Sequence, residues 1–180
     1  QQKLHFYRFN ADSDYTDPNV HVTHTNAWCG AKYCMAYDET REQFYYATQG
    51  GRMLIVDKDG DLVSNTALWT AVAGSGAAYP HLYVDEDGTV HHAMTTTTDT
   101  VWYETIRYMK STDGGANWKK MDGTSLTIPT GCDPNGLSDM INLSDEITTN
   151  SWLSCMVAKK GKVHFAYQCS GKSRQHYMRY

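Results

Sequence analysis

Two stretches of this chain hold side chains of the kinds that do chemistry. In the first, His21–Trp28, the run HVTHTNAW sets His24, Asn26 and Trp28 close together on a polar loop. Imidazole, amide and indole groups borne on a loop are the types that line sugar sites, although surface loops also carry them without that role. The second, Tyr79–Trp118, carries Tyr79, His81, His91, His92, Tyr103 and Arg107, and it includes imidazoles that titrate near neutrality. Upstream, Asp12, Asp14 and Asp17 supply hard oxygen atoms that could gather calcium. Solvated turn residues are the commoner use of such a run. No cofactor is called for; structural calcium is the one ion left open, and no other metal is expected.

The five cysteines (Cys29, Cys34, Cys132, Cys155 and Cys169) are too scattered for zinc, which takes close pairs. Cys29 with Cys34 could bridge a short loop. Cys155 with Cys169, on neighbouring strands, form a second candidate disulfide, and one thiol is left over. Disulfides suit secretion, and the sequon at Asn142-Leu143-Ser144, a glycosylation candidate, points the same way. The start at Gln1-Gln2 without Met reads as a processed product. Formal charge is −4 and no basic stripe is present, which argues against nucleic acid as a partner. No apolar run reaches the length of a membrane span.

These groups need a scaffold, and the chain's patterning describes one. Residues 3–9 alternate as a strand, and the polar stretch Asp12–Thr25, with Pro18, reads as a loop. Tyr79–Val84 is aromatic and β-branched, and Asp85-Glu86-Asp87-Gly88 is a tight-turn signal. Val90–Met94 then alternates, with Val90, His92 and Met94 on one face and His91 and Ala93 on the other. Glu104–Lys110 is a third strand.

The same order recurs on both sides. Ala36-Tyr37-Asp38-Glu39 before Phe44–Ala47 matches Tyr83-Val84-Asp85-Glu86 before Val90–Ala93, and Met156–Lys159 before Val163–Tyr167 is a third copy. Third strands correspond at Arg52–Val56, Ile106–Lys110 and Gln175–Arg179. Asp57-Lys58-Asp59-Gly60 leads to a fourth strand; it lacks the ligand run and terminal Glu of a calcium loop and reads as a hairpin turn. Four short strands repeated at about 40–50 residues are the mark of propeller blades. The expected fold is all-β: one domain over 1–180 of β-propeller type, with antiparallel four-stranded blades. About three blades are present, near 31–66, 79–122 and 152–180, with a loop insertion at 123–151. Met94, Met109, Met156 and Met178 are the expected core between blades. A propeller closes with about four to eight blades. Three outcomes follow: a fragment of a longer polypeptide, completion by self-association, or residues 3–9 serving as the fourth strand of blade three.

Ser111-Thr112-Asp113-Gly114-Gly115-Ala116-Asn117-Trp118 fits S-x-D-x-G-x-x-W, the Asp-box of sialidase-like propellers. Asp113 can accept from backbone N–H groups ahead of it, Gly115 can take a positive φ, and Trp118 can bury a large ring. Ser111, Asp113, Gly115 and Trp118 are therefore structural. With YPHLYVDEDGTVHHA before it and W-x-x-x-D-G-x-x-L-T-x-P after it, the chain resembles the BNR-repeat family. That neuraminidase-like group also holds propeller polysaccharide lyases, ulvan lyases among them, and the resemblance covers roughly 28–180.

The resemblance implies a secreted propeller with its site at the central funnel. Sialidases clamp a carboxylate with three Arg after an N-terminal R-I-P motif, which is absent here. The lyase branch takes a proton from beside a uronate carboxylate with His or Tyr, while Arg or His neutralises the acid. By that likeness, Tyr79-Pro80-His81 matches the lyases' first strand, with His where related enzymes tend to have Arg. His81 is the candidate base or carboxylate partner, Tyr103 the acid and Arg107 the carboxylate binder. Tyr79, His24, Asn26, Trp28 and His91 are candidate substrate contacts. The expected function is an extracellular, carbohydrate-active propeller with lyase-like or glycosidase-like action on an acidic polysaccharide, uronate β-elimination being favoured over sialidase chemistry. The alternative is a non-catalytic carbohydrate- or protein-binding propeller, or a self-assembling structural one.

Overall fold

The computed structural model describes residues 3–9, 20–24, 32–70, 76–97, 103, 105–131, 138–141, 150–170 and 175–179. Every regular element among them is a β-strand. A hairpin-like pair, β1 (Leu4–Arg8) and β2 (Val20–His24), comes first. A four-stranded antiparallel sheet follows: β3 (Tyr33–Asp38), β4 (Gln43–Thr48), β5 (Arg52–Asp57) and β6 (Leu62–Ala67). After a two-residue strand, β7 (Trp69–Thr70), the middle sheet runs through β8 (Gly76–Val84), β9 (Val90–Thr97), β10 (Ile106–Ser111), β11 (Trp118–Lys119) and β12 (Ser125–Leu126). Short strands β13 (Thr130–Gly131) and β14 (Asp139–Met140) precede a third sheet of β15 (Ser151–Lys159), β16 (Lys162–Cys169) and β17 (Gln175–Arg179).

The alternation read from Val90–Met94 sets the packing. Val90, Met94 and Met109, with Trp118, pack on Tyr45, Met53, Ile55 and Trp69 of the first sheet's side. Ala93 and Tyr108, on the opposite face, pack on Leu153, Met156, Phe165 and Tyr167 of the third sheet. The middle sheet is thus buried on both faces. The first strands of the three sheets meet one another, with β8 between β3 and β15. That is the layered, radial order of propeller-type blades, and the fold class expected from the repeats is the one observed.

The Ser111–Trp118 turn folds as its chemistry requires. Asp113 Oδ1 accepts from Asn117 N at 2.9 Å and from the Ser111 hydroxyl at 2.8 Å, and Gly115 N donates to Ser111 Oγ at 2.8 Å. Gly115 has φ +89°, and a Cβ there would meet Met53 Cε at 2.7 Å, so glycine also serves the close approach of the two sheets. Arg41, from the β3–β4 turn, clasps the same end. Its Nη1 donates to Asp38 Oδ2 at 2.5 Å and to Gly88 O at 2.8 Å, and Nη2 reaches Thr112 O at 3.3 Å. The Asp57–Gly60 segment is a hairpin turn, with Asp57 Oδ1 accepting from Asp59 N and Asp61 N.

Four expectations need correction. The stretch 12–25 is not all loop: Val20–His24 forms β2 opposite β1, because Val22 can pack inward while His21 and Thr23 face out, and Pro18 lies before the strand. Residues 3–9 do not complete the third sheet; Phe6 packs instead on Phe44 of the first, ring centroids 5.4 Å apart. The insertion 123–151 is not structureless among its described residues. Its β13 pairs in parallel with β7, β14 pairs with β10, and Ile141 is buried against the third sheet. Cys34, Cys155 and Cys169 form no disulfide. Cys155 lies opposite Ala166 and is exposed, whereas Cys169 lies opposite Ser151 and is buried, so their side chains are on different faces of the sheet. Cys29, Cys132 and the Asn142 sequon lie outside the described residues.

Two outcomes follow. Arg41→Ala leaves the buried Asp38 carboxylate without its guanidinium, and because Arg41 is itself part-exposed the expected loss is about 2 kcal/mol. Urea unfolding checks this as a lower midpoint at unchanged slope. His92 is enclosed between Trp69 and Trp118, and burial pushes its pKa down to about 3. Because its folded value lies below its unfolded one, its contribution is intact above about pH 6.5 and is lost as pH falls. The melting temperature should therefore drop between about pH 6.5 and 5, and His92→Gln should flatten that slope; an equal slope would refute the assignment.

Candidate functional site

Where the three first strands meet, each sheet supplies one residue to a single cluster. Lys32 immediately precedes β3, Tyr79 is on β8, and Trp152 is on β15. Tyr103, from the connection between β9 and β10, joins them. The Tyr79 and Tyr103 hydroxyls share a hydrogen bond of 3.2 Å, with ring centroids 5.0 Å apart. Lys32 Nζ lies 3.7 Å from the Tyr79 ring centroid and donates to the Tyr103 hydroxyl at 3.3 Å. Trp152 stands behind Tyr103, centroids 5.6 Å apart.

Local structure aims these groups deliberately. The β8–β9 register shifts between Ala78 and Pro80, so Tyr79 is the extra residue of a bulge, a device that re-aims a side chain. Tyr79 has φ +46° and Tyr103 φ +63°. A bulky residue in the left-handed region costs of order 1–3 kcal/mol and persists only where its surroundings over-determine it. Here Pro80 fixes the chain after Tyr79. The Tyr103 carbonyl accepts from Ser151 N at 2.5 Å, pinning it to the third sheet, and the Lys32 carbonyl accepts from Gln49 N at 2.7 Å.

The electrostatics follow from this placement. Hydrogen bonding to Lys32, and then to Tyr103, lowers the Tyr79 phenol below its ordinary value. Burial works to lower the Lys32 pKa, but its bonds to Tyr79 and Tyr103 outweigh that and leave it raised. The cluster can therefore hold a phenolate beside an ammonium ion and pass a proton between two phenols.

His81 lies two residues along β8 from Tyr79. Its Nε2–H donates to Leu153 O at 3.2 Å, and burial lowers its pKa, so the ring is neutral with Nε2 committed to the third sheet. Arg107 is 2% exposed and its Nη1 donates to Ser138 O at 3.0 Å, which leaves no open face for a polymer. His91 lies opposite Tyr83, roughly 13 Å further along β8 than Tyr79 at the usual strand rise. It donates from Nε2 to Asp85 Oδ2 at 3.0 Å and accepts from the Tyr108 hydroxyl at 2.7 Å. His24 sits by the first sheet, bonded to Gly60 O at 2.8 Å. Asn26, Trp28 and the aspartates 12, 14 and 17 lie outside the described residues, and no group of three or more His, Cys, Asp or Glu among the described ones could hold a metal. No helix there is long and apolar enough to cross a membrane.

Of the expected site residues, then, the structure brings Tyr79 and Tyr103 together, with His81 behind them. Sequence reading missed Lys32 and Trp152, yet a signal existed. Lys32 stands as far before Asp38 as Tyr79 before Asp85, and Trp152 as far before Val157 as Tyr79 before Val84. The three are equivalent positions of the repeat, and radial packing of repeats gathers equivalent positions.

The fold is that of a β-propeller-type protein. No known family profile matches the chain, and no curated protein matches it. Among solved structures it is similar to one described as a new family of polysaccharide lyase, PL25 ulvan lyase, with a TM-score of 0.60 at 10% identity over 82% of this chain. The same figures hold for that enzyme bound to -[GlcA(1-4)Rha3S]-. The chain spans 40% of the length of those neighbours. Likeness at this identity concerns the fold.

If Lys32 lowers the Tyr79 pKa, an ultraviolet titration should show one tyrosine ionising below the ordinary value of about 10. Lys32→Met should move that step to higher pH. An unchanged titration would disprove the coupling.

Proposed function

We propose that this chain is part of an extracellular carbohydrate-active propeller that cleaves an acidic polysaccharide by β-elimination at a uronate. The observation that carries the reading is the Tyr79–Tyr103–Lys32 cluster, two strained phenols joined by a hydrogen bond and topped by an ammonium ion. The resemblance in sequence and the PL25 neighbours in fold support it.

In this reading Tyr79, as phenolate, takes the proton from the carbon beside the uronate carboxylate. Electrons of that C–H bond form the ring double bond, and the neighbouring C–O bond breaks. The Tyr103 hydroxyl protonates the departing oxygen. Tyr79 then returns its proton to Tyr103 along their 3.2 Å bond, which restores both. Lys32 neutralises the substrate carboxylate and the growing negative charge, the part first expected of Arg107. Trp152 offers an aromatic wall to the sugar. His81 holds β8 to β15 behind Tyr79 and acts as a positioning residue.

The test uses a β-1,4-linked glucuronan and follows the ultraviolet absorbance of unsaturated uronate. Tyr79→Phe keeps the ring and should cut the rate by about a hundred- to ten-thousand-fold, the usual worth of a general base. Activity should rise with pH as Tyr79 ionises and fall once Lys32 loses its proton. Lys32→Met should move the rising limb upward. Full activity in Tyr79→Phe would sink the assignment. Binding without turnover in the native protein would favour the second reading, a glycan-binding propeller, for which the Lys32 ammonium beside two tyrosine rings is sufficient.

A further inference from the structure

The first sheet's face turned away from the middle sheet is apolar, with Met35 and Tyr37 on β3, Phe44 and Tyr46 on β4, and Leu54 on β5. The β1–β2 pair covers only part of it. Leu4 packs on Tyr46 and Leu54, Phe6 meets Phe44, and Arg8 donates to Lys58 O at 2.9 Å. Between β1 and the exposed rims of β3 and β4 an open groove of about 440 Å³ remains. Tyr7 and Tyr37 stand on its banks, 49% and 42% exposed, with Met35 61% exposed beside them.

We infer that this groove binds a segment of an anionic glycan, apart from the Tyr79 cluster. Three features point there. β1 and β2 already cover part of this face, so the roughly 440 Å³ that remains takes a segment of a chain rather than a further sheet. Its walls are aromatic: Tyr7 is braced by His21 at a centroid distance of 4.4 Å and Tyr37 by Phe44 at 4.5 Å. Such held rings present flat surfaces to the C–H faces of sugars at little entropic cost. Among the described residues its polar lining is basic, with Arg8, Lys58 and His5 and no carboxylate. Asp59 pairs with both Arg8 and Lys58 at 2.7 and 2.8 Å outside the lining, which holds the guanidinium in place. Aromatic walls with a cationic rim suit carboxylate- or sulfate-bearing sugars over neutral ones.

The test is affinity electrophoresis of the full chain in gels containing β-1,4-glucuronan, in a Tyr79→Phe background so that no probe is consumed. Tyr37→Ser with Lys58→Ser, both surface changes, should weaken retention about fivefold or more, and neutral β-1,4-glucan should retain the protein less than glucuronan. Tyr7→Ser alone should give a smaller loss of the same kind. Retention unchanged by these substitutions would overturn the inference, as would equal retention on the neutral glucan. A change in mass by light scattering with retention unchanged would also overturn it, and would make the groove a contact between protein copies. The readout needs no turnover, so this inference and the β-elimination reading fail separately.

Discussion

The rest of this structure depends on the burial of the middle sheet on both faces. A single antiparallel sheet in water keeps one face wet. Here Val90, Met94 and Met109 look one way and Ala93 and Tyr108 the other, and both faces close on apolar neighbours. At roughly 25 cal/mol per Å² of apolar surface, burying both sides of one sheet is a large share of what stabilises the whole. It also fixes geometry. With β9 and β10 locked between two cores, β8 has no freedom to slide, and β3 and β15 must come to it from either side.

That constraint places strain where chemistry could use it. Tyr79 is the surplus residue of a bulge in β8, the strand that lies between β3 and β15, and Tyr103 closes a connection pinned to the third sheet. Both take left-handed backbone conformations that a tyrosine avoids when free. The far end of the same sheet is organised differently. There Arg41, Asp38, the Ser111–Trp118 turn and the Asp85–His91–Tyr108 chain satisfy one another with bonds of 2.5–3.3 Å. One end of the sheet is an internally satisfied clasp, and the other presents groups in tension with their surroundings.

The strands of the repeats were legible along the chain because alternation and turn chemistry are local. Val90–Met94 and the Ser111–Trp118 octet gave faces and bonds that the structure reproduces. The cluster was half legible. Tyr79 and Tyr103 were marked by the lyase likeness, but Lys32, a lysine ahead of a strand, carries no signal beyond its equivalent place in the repeat. Arg107 shows the opposite case: the lyase likeness made it a carboxylate binder, while its place between Ser138 and the core came from β14, a two-residue strand too short to leave a periodic signal.

What the sequence by itself determined was the all-β class, the order of strands and turns in each blade-like unit and the faces on which Val90–Met94 lie. These depend on a period of two and on turns a few residues long. Which equivalent positions would converge, which cysteines would stay apart and which strand would cover the first sheet were decided by tertiary structure alone. Cys155 and Cys169 are neighbours in pattern, yet a bulge between Leu153 and Cys155 and the sidedness of the sheet leave one thiol in solvent and the other in the core. Lys32, Tyr79 and Trp152 are distant in the chain and meet because each holds the equivalent position on or just before the first strand of its sheet and β8 packs between the other two first strands. No local signal encodes that meeting; it exists only when both faces of the middle sheet are filled.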